Sequence, residues 1–317
     1  METSTSKNAP NVESEFTMNE FSFRRQWGPV PKYHRVEKYH PPERPFISIV
    51  GPCAVESVDQ IHAIASELKK HKVEYLRGGV FRAGTYPGAA FGSIPEIAIQ
   101  EYSRAAHENG MKCIIEVLSY DPTFLNMAFK YADAFQVGAR QMQNYPLLRI
   151  LGSMKRTVFL KRNMGANIDE FLGAAEHLLS GGLCDPILIE RGSSTYHTHV
   201  RWDASISMIP AVKSITKIPI IIDASHGTGR RDLVEPMTLA GVAAGADGFL
   251  VEVHPNPEKS LSDADQAYPL ENFGNLKNKI DMVRAAVQGI KGNDIAAKYL
   301  MTNAEIEFVT SDTRSHT

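Results

Sequence analysis

Between Pro219 and Asp263, three side chains able to bind a metal or move a proton stand at the exits of apolar runs. His226 lies just past Ile220–Asp223, Glu252 ends the run Gly248–Val253, and Asp263 follows in the next loop. Both runs have the length of buried strands. Between them Asp232–Ala244 carries apolar residues at helical spacing, with Gly245 as a stop. Strand, helix and strand at this pitch predict a parallel βαβ unit, which brings both strand ends to one edge of the sheet. Histidine, glutamate and aspartate gathered there beside a Gly-rich turn can hold a metal or a phosphate. A fourth candidate, Cys53, follows the first apolar run, Ile47–Val50. If the sheet closes on itself, the first strand meets the last ones and Cys53 joins the set. Thiolate, imidazole and carboxylate together suit a divalent first-row metal such as Mn2+, Fe2+, Co2+ or Zn2+.

Other apolar runs exit on cations: Arg77 with Arg82 soon after, Arg140, Lys161 with Arg162, and Arg191. On one rim they would form an anion pocket fit for phosphate and carboxylate together. Each residue alone has a plainer reading. Cys53 could be a small buried residue, His226 or Asp263 could cap a turn, and Glu252 could pair with His254. Arg140, Lys161 and Arg191 could be rim ion pairs with Glu116, Glu190 and Asp223. Their joint placement weighs against this, because the cations outnumber the carboxylates available.

The elements that must position these residues alternate along the chain. Strands are predicted at Ile47–Val50, Tyr75–Val80, Cys113–Val117, Ala134–Val137, Val158–Lys161, Ile187–Glu190, Ile220–Asp223 and Phe249–Val253. Amphipathic helices are predicted at Val58–Lys70, Pro95–Asn109, Pro122–Lys130, Asn144–Gly152, Ile168–Ser180, Ala204–Ser214, Asp232–Ala244 and Leu276–Gln288. This alternation predicts an α/β fold, a single (β/α)8 TIM barrel over 46–290, with its chemistry at the C-terminal ends of the strands. The rival, an open doubly wound sheet, usually shows an early GxGxxG, and none is found. Residues 1–45 read as an N-terminal extension, partly disordered, with 19–46 as an extended arm in which Pro42 and Pro45 oppose a helix. Such an arm suits a homodimer or homotetramer. Residues 291–317 read as a polar C-terminal tail.

Composition narrows the class. In 317 residues, 43% hydrophobic and 22% charged content is ordinary for a globular protein, and a formal net charge of −2 gives no pull toward nucleic acid or membrane. No apolar run has transmembrane length and the N-terminus lacks a signal-peptide core, so a cytoplasmic protein is expected. Cys53, Cys113 and Cys184 are too few and too scattered for a disulfide framework.

The motifs GPCAVES (51–57), LRGG (76–79), QVGARQMQN (136–144), FLKRN (159–163), IERG (189–192), DASHGTGRRDLV (223–234) and VEVHPNPEKSLSD (251–263) occur in this order. As a set they resemble the class I 3-deoxy-arabino-heptulosonate 7-phosphate (DAHP) synthases, in the branch similar to 3-deoxy-manno-octulosonate 8-phosphate synthase. The resemblance spans about 46–290 and implies a (β/α)8 barrel. It further implies condensation of phosphoenolpyruvate (PEP) with an aldose phosphate, normally erythrose 4-phosphate, with release of phosphate. It assigns Cys53, His226, Glu252 and Asp263 to a divalent metal, and Arg77, Arg140, Lys161 and Arg191 to PEP. Lys161 would relay a proton, with Cys53 and His226 serving the reaction as metal ligands. It implies as well a transferase of the shikimate pathway, in aromatic amino acid biosynthesis.

One region departs from the family. Its KPRTS-type acceptor motif reads Arg82-Ala83-Gly84-Thr85-Tyr86 here. Only Thr85 is kept, and Arg82 is the nearest substitute for the lost arginine. Ser193–His197 and Trp202 also replace family residues after the sixth strand. The PEP and metal halves are intact while the acceptor half is rewritten. The same PEP chemistry on another aldehyde, and a catalytically silent metabolite-binding relative, are therefore the alternatives to DAHP synthesis.

Overall fold

The structure is a computed structural model that describes residues 33–80 and 96–292. Arg82, Thr85, the arm before Tyr33 and the tail after Gly292 lie outside the described residues.

Eight parallel strands close into a barrel: β1 (Ile47–Gly51), β2 (Tyr75–Arg77), β3 (Lys112–Glu116), β4 (Ala134–Val137), β5 (Thr157–Lys161), β6 (Asp185–Glu190), β7 (Ile220–Asp223) and β8 (Gly248–His254). Each pairs with the next in sequence, and β8 returns to β1 with Ile47 opposite Gly248 and Gly51 opposite Glu252. A two-residue strand, β9 (Tyr268–Pro269), extends the sheet beside Val253 and His254. The strands are apolar on both faces because each is covered on both, by the barrel interior and by the helices. Ile49, Tyr75, Ile114, Ala134, Phe159, Ile189, Ile221 and Leu250 fill the interior, while Val50, Leu76, Leu160, Leu188 and Ile222 pack outward.

The outer ring contains α2 (Val58–Lys69), α3 (Glu96–Glu108), α4 (Pro122–Tyr131), α5 (Tyr145–Gly152), α6 (Ile168–Leu179), α7 (Met208–Ile215), α9 (Arg231–Ala243) and α10 (Phe273–Gly292). Their starts carry local signals. Ser57 and Asp121 accept the backbone N–H three residues on, and Asn167 with Glu170 forms a reciprocal capping box.

Several elements differ from the predicted ones, among them α10, which begins at Phe273 rather than Leu276. The arm contains a short helix, α1 (His34–Lys38), where an extended segment is expected. Its exposed first amides find an acceptor in Glu176 of α6, which takes the N–H groups of Arg35 and Val36 at 2.9 Å, and Val36 is fully buried. Pro42 and Pro45 lie beyond its end and do not oppose it. β2 stops at Arg77 instead of Val80, because Gly79 turns to exchange backbone bonds with Cys53 and Val55. α7 begins at Met208, not Ala204, since the Ser205 amide is drawn to Glu190. The DASHGT stretch is a one-turn helix, α8 (Ala224–Thr228), ended by Gly229 at φ 68°. No described helix is long and apolar enough to cross a membrane.

Candidate active site

Side chains two residues apart on a strand share a face. Stepping two residues on from the interior-facing core therefore gives the next inward layer. Tyr75 leads to Arg77, Ile114 to Glu116, Ala134 to Gln136, Phe159 to Lys161, Ile189 to Arg191, Ile221 to Asp223 and Leu250 to Glu252. Period-2 alternation alone turns an apolar plug into a polar pocket at the C-terminal ends of the strands. A cavity of about 140 Å³ opens there, lined among others by Cys53, Arg77, Arg140, Lys161, Arg191 and His226.

Cys53, His226, Glu252 and Asp263 are gathered on one side. Cys53 Sγ lies 3.2 Å from Asp263 Oδ2, and His226 Nε2 lies 3.2 Å from Glu252 Oε1. Donor atoms of Cys53, Glu252 and Asp263 fall within 4.8 Å of one another. Ligand atoms that share one ion at bond lengths of about 2.0–2.3 Å sit roughly 3–4 Å apart, so Cys53, Glu252 and Asp263 fit a divalent metal, while His226 stands outside that three-residue cluster and meets it at Glu252. Asp263 has a left-handed backbone (φ 50°) and heads a one-turn helix without capping it by its side chain. Its carboxylate turns instead to Cys53 and, at 3.5 Å, to Arg201. The turn-capping reading of Asp263 is thereby set aside.

Behind these donors the charges are matched. Glu252, fully buried, accepts from Arg77 and from Gln266 Nε2 at 2.5 Å, and its backbone N–H donates to Ser225 Oγ. Burial pushes its carboxyl up, but His226, Arg77 and Gln266 outweigh that and hold it down at about 2. Asp223 is buried between Lys161 Nζ (2.9 Å) and His226 Nδ1 (2.8 Å). Burial opposes its charge as well, and His226 and Lys161 together hold it well below the usual carboxylate range. The bond at Nδ1 leaves His226 Nε2 facing Glu252, the orientation a metal ligand needs.

The cations divide into two groups. Lys161 is paired with Asp223, as the plainer reading has it. Arg162 does not reach the pocket. It spends itself on Glu190, with Nε 2.6 Å and Nη2 2.8 Å from the two carboxylate oxygens. Glu190, one of the carboxylates considered from sequence for the rim ion pairs, is taken by Arg162 instead. Arg191 is buried, and its Nη1 has no hydrogen-bond partner among the described residues. Burial, with Arg201 and Arg140 nearby, lowers its pKa against the pull of Asp223. Gly138 beside Arg140 admits Glu116, whose Oε1 would lie 2.2 Å from a Cβ built there.

Gln136 is a pocket residue that the sequence reading passed over. It is buried, its Nε2 donates to Glu116 Oε2 at 3.3 Å, and its Oε1 is unsatisfied among the described residues. The signal was its even spacing from Ala134 on the inward face. Leu118, Met164, Arg201 and Trp202 complete the lining, the last two from the loop after β6.

Residues 39–288 match the family model described as the DAHP synthetase I family. A phospho-2-dehydro-3-deoxyheptonate aldolase of Thermotoga maritima is 39% identical over 248 residues, 78% of this chain and 72% of that protein. A 2-dehydro-3-deoxyphosphooctonate aldolase of Desulfotalea psychrophila is 25% identical over 266 residues, 77% of this chain and 92% of its own. Among solved structures, a truncated form of the 3-deoxy-D-arabino-heptulosonate 7-phosphate synthase from Thermotoga maritima superposes with a TM-score of 0.70 at 38% identity, covering 76% of this chain and 87% of that one.

Proposed function

The chain belongs to the DAHP synthetase I family, and on that premise we propose that it condenses PEP with an aldose phosphate, erythrose 4-phosphate first, to give a 3-deoxy-ulosonate phosphate and inorganic phosphate. The observation that carries this reading is one cavity lined by Arg77, Arg140, Lys161 and Arg191 together with Cys53, His226 and Asp263, with Glu252 buried behind it against Arg77 and His226. PEP presents a carboxylate and a phosphate, and a pocket of this charge is suited to hold both.

Cys53, His226, Glu252 and Asp263 would hold the divalent ion, which when bound supplies Lewis acidity toward the aldehyde carbonyl. Arg140, Lys161 and Arg191 bind the PEP anions and aim its methylene carbon at the aldehyde. The carbon–carbon bond forms from the PEP double bond, water adds at the former enol carbon, and phosphate leaves by C–O cleavage. Lys161 Nζ lies 3.4 Å from His226 Nδ1 and 2.9 Å from Asp223, so it can carry the proton exchanged with the aldehyde oxygen.

A second reading, the same chemistry on a different aldehyde, is favoured by the pocket wall. Leu118, Met164 and Trp202 add apolar surface to the cavity wall, which suits a less charged acceptor. Phosphate release from PEP with Mn2+, Fe2+, Co2+ or Zn2+, across a panel of aldehydes, tests both. Turnover with erythrose 4-phosphate supports the first, turnover only with another aldehyde the second. Release with none sinks both and leaves a metabolite-binding relative.

A further inference from the structure

We infer that Trp202 is a positioning residue that fixes the Arg191 guanidinium for an incoming anion, standing where a carboxylate partner would otherwise be. This rests on the proposed PEP site. The Arg191 guanidinium carbon lies 5.3 Å from the centroid of the indole ring, within cation–π range. The nearby carboxylates are committed elsewhere. Glu190 is held by Arg162 and by the amides of Gly192 and Ser205, and Asp223 by Lys161 and His226. A carboxylate on Arg191 would neutralise it and compete with the substrate anion. An aromatic face steadies the cation and leaves its hydrogen-bond donors available.

The loop is built to place this ring. Ser193 and Asp203 exchange two backbone hydrogen bonds of 3.0 Å, and the Arg201 N–H donates to Thr228 O at 2.9 Å, so the backbone on both sides of Trp202 is fixed. Gly192, at φ 91°, sits directly beneath. A Cβ there would stand 2.8 Å from Trp202 Cβ, so a larger residue would push the tryptophan off. Ser194 N–H donates to Met164 O and ties the loop to the one that follows β5. The loop after β6 thus presents one side chain to one cation.

The test compares W202F and W202L with the parent, using PEP binding by calorimetry and steady-state kinetics. Leucine keeps apolar bulk and removes the π-face; phenylalanine keeps a weaker face. W202L should bind PEP roughly tenfold more weakly, with a matching rise in KM for PEP and kcat within about twofold. W202F should recover most of the loss. Parent-like PEP affinity in W202L would overturn the inference, as would W202F binding no better than W202L. The chain has only two tryptophans, Trp27 and Trp202, so W27F reports on Trp202 alone. Its emission should change on adding PEP and stay unchanged with inorganic sulfate at the same ionic strength. A PEP signal matched by sulfate would count against the placement. If the parent binds no PEP at all, the functional reading fails. If the parent binds and the variants bind equally, only the role of Trp202 fails.

Discussion

Glu190→Gln is the substitution that most directly tests how the pocket is held together. Glu190 is fully buried and accepts four hydrogen bonds, from Arg162 Nε and Nη2 and from the backbone N–H groups of Gly192 and Ser205. Arg162 is 2% exposed. Glutamine keeps the shape but removes the charge, and sets an amide NH2 against a guanidinium NH. An uncompensated buried charge costs about 3–5 kcal/mol. At roughly 2–4 °C per kcal/mol for a domain of this size, the apparent melting midpoint should fall by about 10 °C. The two amides that lose a charged acceptor lie in the loop that carries Trp202, so the KM for PEP should rise as well. Differential scanning fluorimetry and PEP kinetics read both. The double variant Arg162→Met, Glu190→Leu removes both charges and should regain most of the lost stability, because a matched apolar pair carries no desolvation penalty. A Glu190→Gln midpoint within about 2 °C of the parent would refute the reasoning, as would a double variant no more stable than the single.

Other outcomes follow from the same geometry. Cys53 is half-buried on the cavity, whereas Cys113 and Cys184 are buried, with burial pushing the first thiol up and the second up to about 12. A thiol reagent at pH 8 should therefore label one of three cysteines in the native protein, divalent metal should protect it, and Cys53→Ser should abolish native labelling. Asp223→Asn should weaken metal affinity by about 10–100-fold in a direct metal titration, since Asp223 orients His226 through Nδ1. Glu176→Ala should release α1, costing about 1–3 kcal/mol and accelerating tryptic cleavage after Arg35 and Lys38. Glu176 is the acceptor for the amides of Arg35 and Val36.

How much of this was legible in the sequence depended on distance along the chain. β7 and β8 read cleanly because Ile220–Ile222 and Phe249–Val251 are unbroken apolar runs, as a strand covered on both faces requires. The four donor residues read as a set because Cys53, His226 and Glu252 stand at the ends of such runs and Asp263 lies in the loop after the last of them. The helix α1 was illegible, since its stabilising carboxylate, Glu176, is 141 residues from Arg35. The choice of partners was equally hidden. Nothing near Glu190 in sequence says that it takes Arg162 rather than Arg191, and that choice is made by the two sides of the barrel wall. Gln136 was within reach, because the spacing that placed Lys161 and Asp223 inward also places it.

Asp223 joins the two halves of the pocket. One carboxylate touches Lys161, from the cations proposed to hold PEP, and His226, from the donors proposed to hold the metal. Being fully buried, it has no water to share its charge and must be neutralised by those two groups. Any change in charge at either is therefore felt at the other through a medium that screens poorly. The metal side and the anion side are consequently one electrostatic unit. Arg191 feels Asp223 as well, but its contact is with an indole rather than a carboxylate. Its Nη1, with no hydrogen-bond partner among the described residues, is left for an arriving anion. A pocket in which every cation had a carboxylate would be more stable empty and would bind PEP less well.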